Sequence, residues 1–373
     1  MPELFEKSSV NSMVIANRFV RSATWEGLTD KDGAVSHRLT EMMVELAQGE
    51  VGLIISGYAF ISREGQSSSN QLAVDDDRFL PGLREMASAV HAAGGKMALQ
   101  LVHGGGSANR ELTGLELVGP SVIEQDGQVT CRQASSHDLA AITSAFAKAA
   151  GRAQQAGFDA VQIHAAHGFL LCQFLSPAFN KRQDEYGGSL ENRARLVLEV
   201  VNSVRATVGS GYPILIKLNS EDFLEGGMTR DEAVRIAGLL AQTTVDAIEF
   251  SGATVASPAK LMPPRPGKLN TPEQEAYYQE AARLYKQKVA IPLILVGGIR
   301  SYEVAEGLVR KGTADYISMS RPLICEPALV KRWHEGDRRP AECVSDNACF
   351  APASDGRGLF CVTMANKRGK AQP

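Results

Sequence analysis

The chain has 373 residues, 44% of them hydrophobic and 22% charged, with a formal net charge of −3. That is enough apolar material for one large core, and a charge so near zero supplies no long-range field for nucleic acid or an anionic membrane surface. No apolar run reaches eighteen residues, and MPELFEKSSV lacks the basic-then-apolar layout of a secretory leader, so the expected setting is the cytosol, with six cysteines kept reduced.

Eight short runs rich in β-branched residues are predicted as strands: 18–24, 51–60, 96–103, 158–164, 212–218, 245–251, 292–297 and 314–319. Most are apolar at their centres, which suits parallel strands buried on both faces. Helical patterns alternate with them at 36–49, 79–94, 137–156, 191–207, 229–243, 271–289, 301–312 and 326–335. Thr229 with Glu232, and Thr271 with Pro272 and Gln274, read as helix starts; Gly94 and Gly157 read as stops. Eight β-α repeats predict an α/β fold, a closed (β/α)8 TIM barrel. An open doubly wound sheet would more often show GxGxxG after its first strand, where SATWEG stands. Residues 106–134 fit no unit and read as an excursion on the loop side. The expected organisation is one barrel domain, 1–340, with a tail, 341–373, packed on it.

In such a barrel, functional residues gather just past the strand C-termini. Gln100 and His103 end the third strand, His164 and His167 the fourth, and Lys217 and Asn219 the fifth. Gly297-Gly298 follows the seventh strand and Ser320-Arg321 the eighth, where barrels of this kind bind phosphate; a tight left-handed turn is the bland reading of the glycines. The two histidines read as a metal pair, as hydrogen-bonded core residues, or as imidazole donors to a carbonyl oxygen. No neighbouring strand end supplies an obvious third metal ligand. Lys217 ends an apolar strand and needs an anion, either Glu249 of the sixth strand or a cofactor that gains negative charge.

The stretch VQIHAAHGFLLCQFLSPAFNKRQDEYGGSLENRARLVLEVV at 161–201 resembles the Old Yellow Enzyme family of FMN-dependent ene-reductases. NRFVRSAT (17–24), LQLVHGG (99–105), IKLNSEDF (216–223), VGGIR (296–300) and SMSRPLI (318–324) extend the match over nearly the whole barrel. The resemblance implies FMN across the barrel mouth, reduced by NADPH or NADH, with a small-molecule alkene as acceptor. It implies that Ala23, Thr24 and Gly57 lie at the flavin ring, Gln100 at its pyrimidine edge, and Lys217 near N1. Gly297, Gly298, Ser320 and Arg321 would take the phosphate, and His164 with His167 would grip the substrate carbonyl. Trp25, Tyr58 and Phe169 are expected at the substrate pocket. Barrels of this family commonly form homo-oligomers, but the sequence sets no number.

Three departures stand out. Phe169 occupies the place of the usual proton-donor tyrosine and has no proton to give, so the α-carbon proton is expected from water or another acid. Trp25 stands where relatives carry Thr or Cys, and an indole there crowds the substrate space, stacks or turns away. In the tail, Cys343, Cys349 and Cys361 match three of four cluster-binding cysteines of larger relatives, with Asp346 in place of another; no metal is expected. The expected activity is NAD(P)H-driven reduction of an activated alkene or related acceptor. The alternative is the oxidative direction, a dehydrogenase or demethylase; an aldolase or isomerase acting on a sugar phosphate comes third.

Overall fold

The computed structural model describes residues 2–267, 269 and 271–369. Eight strands close in chain order into a parallel barrel. They are β1 (Phe19–Arg21), β2 (Leu53–Phe60), β3 (Met97–Val102), β4 (Ala160–Ala165), β5 (Ile214–Asn219), β6 (Ala247–Ser251), β7 (Leu293–Leu295) and β8 (Tyr316–Met319). β8 pairs with β1 in the register Ile317 to Phe19, so the barrel itself has no open edge. Six lie inside the predicted runs, β4 and β5 extend one residue past theirs, and the (β/α)8 TIM barrel is the fold. The helices after them are α1 (His37–Gln48), α2 (Leu80–Ala92), α3 (Ser136–Gln155), α4 (Leu190–Val208), α5 (Arg230–Ala241), α6 (Gln279–Lys288), α7 (Tyr302–Arg310) and α8 (Leu329–His334).

The helices dock by one apolar face: α4 buries Ala194, Val197, Val201, Val204 and Val208 at helical spacing. Thr229 and Glu232 form the predicted reciprocal cap at α5. The predicted helix 271–289 is instead split. Thr271 starts a single 3-10 turn, Pro272–Gln274, and α6 begins only at Gln279. Between them the Glu275 carboxylate turns inward to accept from Arg300 N (2.8 Å) and Ser301 N (3.0 Å), holding the turn after β7. Ala276 takes φ +49, which a continuous helix does not allow.

Side chains alternate along each strand, and the barrel interior is built in layers. The floor is apolar: Val20, Leu53, Ala98, Ala160, Leu215, Ala247, Ile294 and Tyr316, one from each strand. An unpredicted hairpin, Ser8–Val10 with Met13–Ile15, plugs this end with Val10, Met13 and Ile15. Two residues further along the strands the layer is polar: Ser22, Gln100, Gln162, Lys217, Glu249 and Ser318. The excursion within 106–134 carries a small three-stranded sheet, Leu117–Gly119, Ile123–Gln125 and Gln128–Gln133. No described helix is long and apolar enough to cross a membrane.

Candidate active site

The polar layer is one continuous network. Lys217 and Glu249 are register partners on β5 and β6, and their charges meet at 3.2 Å with 2% and 0% of each side chain exposed. Glu249 also accepts from Ser22 Oγ (2.7 Å), Ser318 Oγ (2.8 Å) and Gln162 Nε2 (2.8 Å), while Gln100 Nε2 donates to Gln162 Oε1 at 2.7 Å. Burial alone would raise the Glu249 carboxyl, but Lys217 and these donors outweigh it and hold the group below its ordinary range. The internal ion pair weighed for Lys217 is therefore present.

One layer up, His164 sits beside Lys217 in the β4–β5 register, with His167 three residues on. Their rings meet edge to face at 5.2 Å. His167 takes φ +63, fixed by Asn219 Oδ1 accepting its backbone N–H at 3.1 Å, and its Nε2 lies 2.7 Å from Ser251 Oγ. His164 Nδ1 accepts from Ala166 N at 3.3 Å, which leaves the ring proton on Nε2. Burial, then His167 and Lys217, pushes His164 well below the usual imidazole range; burial and Lys217 bring His167 to about 3. Both are neutral rings at physiological pH, able to donate without carrying charge.

These residues line a cavity of about 350 Å³ at the strand C-termini, within the size of a small-molecule site. Ala23, Thr24, Gln100, Lys217, Trp25, Tyr58, Phe169, His164 and His167 all line it. Gly298, Ser320 and Arg321 lie at the far end, where Ser320 Oγ is 2.7 Å from Thr24 Oγ1. Gly57 and Gly297 do not line the cavity. A Cβ on Gly297 would meet Tyr278 at 2.9 Å and one on Gly298 would meet Tyr277 at 2.6 Å, so packing against these two cavity-lining tyrosines demands both glycines. Gly57 is demanded by Glu26, whose Oε2 would lie 2.0 Å from an added Cβ. His103 also lies away from the cavity, its Nδ1 accepting from Gly105 N at 3.0 Å.

The far end holds cations that the sequence reading missed. Arg321 is 7% exposed, and its partners are neutral oxygens: Arg265 O (3.1 Å), Ser345 O (3.2 Å) and Asn347 Oδ1 (2.6 Å). Arg265 and Arg300 join it in the lining, each with a buried Nε that has no hydrogen-bond partner among the described residues. Three guanidinium groups without a carboxylate partner among the described residues form a site for an anionic group. Arg265 and Arg300 stand in loops without periodicity, and only the R of VGGIR hinted at either.

Trp25 lines the cavity but leans on the tail, packing with Cys349, Ala353 and Leu359, while its Nε1 donates to Asn70 O at 3.4 Å. The tail is tied to the barrel by Leu359 N to Glu26 O (2.7 Å) and Ala341 N to Arg300 O (2.8 Å). Cys343 and Cys361 pack with Cys325 and Met364, and all six cysteines are free thiols. Among the described residues no group of three or more metal-capable side chains converges.

The cavity thus brings neutral imidazoles and guanidinium groups without carboxylate partners among the described residues into one lining. The chain belongs to the NADH:flavin oxidoreductase / NADH oxidase family, whose model matches residues 3–339; the Old Yellow Enzyme resemblance is borne out. It is similar to an NADH oxidase of Thermoanaerobacter brockii, 35% identical over 355 residues, which cover 93% of this chain and 53% of that protein. An NADPH dehydrogenase of Geobacillus sp. (strain WCH70) is 35% identical over 327 residues, 87% of this chain and 91% of that protein. Among solved structures, a 2-naphthoyl-CoA reductase in complex with 2-naphthoyl-CoA aligns with a TM-score of 0.87 and 28% identity, over 96% of this chain and 56% of that one. The chain spans about half the length of the first and third of these relatives.

The family is one of FMN-dependent oxidoreductases working with NADH or NADPH. The residues present fit FMN: the orphaned Arg265 and Arg300 nitrogens and the buried Arg321 suit a phosphate, and the polar layer beneath the cavity offers amide and ammonium groups to a ring system.

Proposed function

We propose that the protein is an NAD(P)H-dependent FMN oxidoreductase that reduces an activated C=C bond, conjugated to a carbonyl or a related electron-withdrawing group. The observation that carries the reading is the pair of neutral imidazoles, His164 and His167, on the cavity wall above Lys217. Bound FMN supplies the hydride, drawn from NAD(P)H. The two histidines donate to the substrate oxygen and stabilise the charge that grows there when hydride reaches the β-carbon. Gln100 and Lys217 hold the flavin's pyrimidine side and Ala23 and Thr24 its face, with Gly57 buttressing the wall behind. Gly298, Ser320 and Arg321 hold the phosphate, joined by Arg265 and Arg300, with Gly297 supporting the turn.

The test is an anaerobic titration. NADPH or NADH should bleach the yellow chromophore, and cyclohexenone should restore it. A flavin that neither nicotinamide bleaches would reject this reading in favour of oxidative removal of hydride from an amine or a saturated carbonyl compound. The phosphate assignment has its own expected result. Arg321→Met deletes charge-assisted hydrogen bonds of about 1.5–3 kcal/mol each, so FMN should bind about ten- to a hundredfold more weakly in fluorescence titration. Unchanged affinity would move the phosphate elsewhere.

A further inference from the structure

Phe169 cannot give a proton, yet a phenol stands against it. The Tyr58 ring lies 5.3 Å from the Phe169 ring and 6.5 Å from that of His164, on the same cavity wall. Strand alternation alone would not put it there. Leu53 and Ile55 point inward, so 57 would follow and 58 would turn outward. But Ile55 pairs with Ala98 while Tyr58 pairs with Gln100, so three residues of β2 span two of β3. This β-bulge re-aims Tyr58 into the barrel, level with Gln100.

The bulge is held by a buried ion pair. Arg21 and Glu26 meet at 2.9 Å; Arg21 Nη1 donates to Ile55 O at 2.6 Å, and Glu26 Oε1 accepts from Gly57 N at 2.9 Å. The two charges thus satisfy the peptide groups that the irregular ladder leaves over. Only glycine fits at 57, because the Glu26 carboxylate occupies the Cβ position. The arrangement fixes one side chain, and that side chain is a tyrosine that lines the cavity. Its hydroxyl is 2.9 Å from Ser68 Oγ, and Ser68 is half-exposed beside the exposed Ser69.

We infer that Tyr58 is the acid that protonates the substrate's α-carbon, in the place left by Phe169, and that Ser68 connects it to solvent. The inference rests on the alkene-reductase reading above. Hydride from the NAD(P)H-reduced cofactor forms the new C–H bond at the β-carbon, and the π electron pair moves towards the α-carbon and the oxygen held by the histidines. The Tyr58 O–H bond then breaks, its proton forms the α-carbon C–H bond, and the phenolate takes a proton from Ser68 Oγ–H, which water replaces. Burial, with Glu26 adding to it, raises the Tyr58 hydroxyl above its ordinary range and keeps this acid loaded at neutral pH.

The experiment compares the wild-type holoenzyme with Tyr58→Phe, which removes one oxygen and keeps the ring packing. Pre-reduced enzyme is mixed with 2-methylcyclohexenone in D2O, and separately with a quinone, whose protons go to oxygen. General acid catalysis is worth about 10²–10⁴ in rate. Tyr58→Phe should therefore slow enone reduction at least about a hundredfold and quinone reduction far less. Deuterium should enter one face of the α-carbon in the wild type and both faces in the variant. Tyr58→Phe/Phe169→Tyr should recover both rate and facial selectivity. Unchanged enone rate and selectivity in Tyr58→Phe would overturn the role of Tyr58 alone, and an equal loss with the quinone would mark it as structural and overturn it too. A wild type that oxidises NAD(P)H for the quinone but leaves the enone untouched would overturn the alkene-reductase reading, and Tyr58's role with it.

Discussion

Replacing Lys217 by methionine should destabilise the protein by about 3–5 kcal/mol, because it strands the Glu249 carboxylate in the barrel interior without its counter-charge. Glu249 is fully buried, and only three neutral donors would remain to it. Lys217→Met/Glu249→Gln should regain part of that loss, since two neutral groups of similar volume replace the pair and the amide oxygen still accepts from Ser22 and Ser318, while the bond from Gln162 is lost. Urea unfolding of the three proteins checks this: a single variant as stable as wild type would mean that the pair contributes nothing. A second readout separates fold from chemistry. If Lys217 lies beside the bound flavin, Lys217→Met/Glu249→Gln should fold and bind FMN but show a lower reduction potential than Lys217→Arg, which keeps a cation there.

The barrel was legible because its evidence is local and repeated: eight apolar runs, each followed by an amphipathic helix. The Lys217–Glu249 pair was legible for a related reason, since an ammonium flanked by ILI and L has few places to find an anion. What escaped depends on contacts between distant segments. The three-residue strands of the hairpin are too short to show a period, though Val10, Met13 and Ile15 close one end of the barrel. The helix expected from 271 breaks because Glu275 is drawn to the turn at Arg300 and Ser301, a partnership no window around 275 contains. Gly57 was expected at the flavin, yet its lack of a side chain serves Glu26 behind the wall. The bulge that turns Tyr58 inward is a register event between β2 and β3, and register is set by pairing rather than by the composition of either strand.

Removing the imidazole donors gives the second large effect. His164→Ala and His167→Ala should each lower the enone rate by about 10²–10³, the usual loss of one preorganised donor to a developing oxyanion, while NAD(P)H still reduces the flavin at the wild-type rate. Asparagine at either position keeps an N–H donor and should retain much of the activity. Equal losses in both half-reactions would place the histidines outside the substrate site. Because both rings are already neutral, with His167 at about 3, neither should add a titration to the enone pH–rate profile between pH 5 and 8. They should nevertheless appear in stability. An unfolded histidine titrates near about 6.5, so below that pH the unfolded chain binds protons that the folded rings refuse. Unfolding is then favoured progressively as pH falls from about 6.5 towards 3, and the pair has no such effect above that window. The difference between wild-type and His164→Asn/His167→Asn urea midpoints, measured from pH 8 down to 4, should be constant above about 7 and shift in favour of the variant as acid is added. A difference that stays flat throughout would mean that the rings are open to protons in the folded state and act as charged groups.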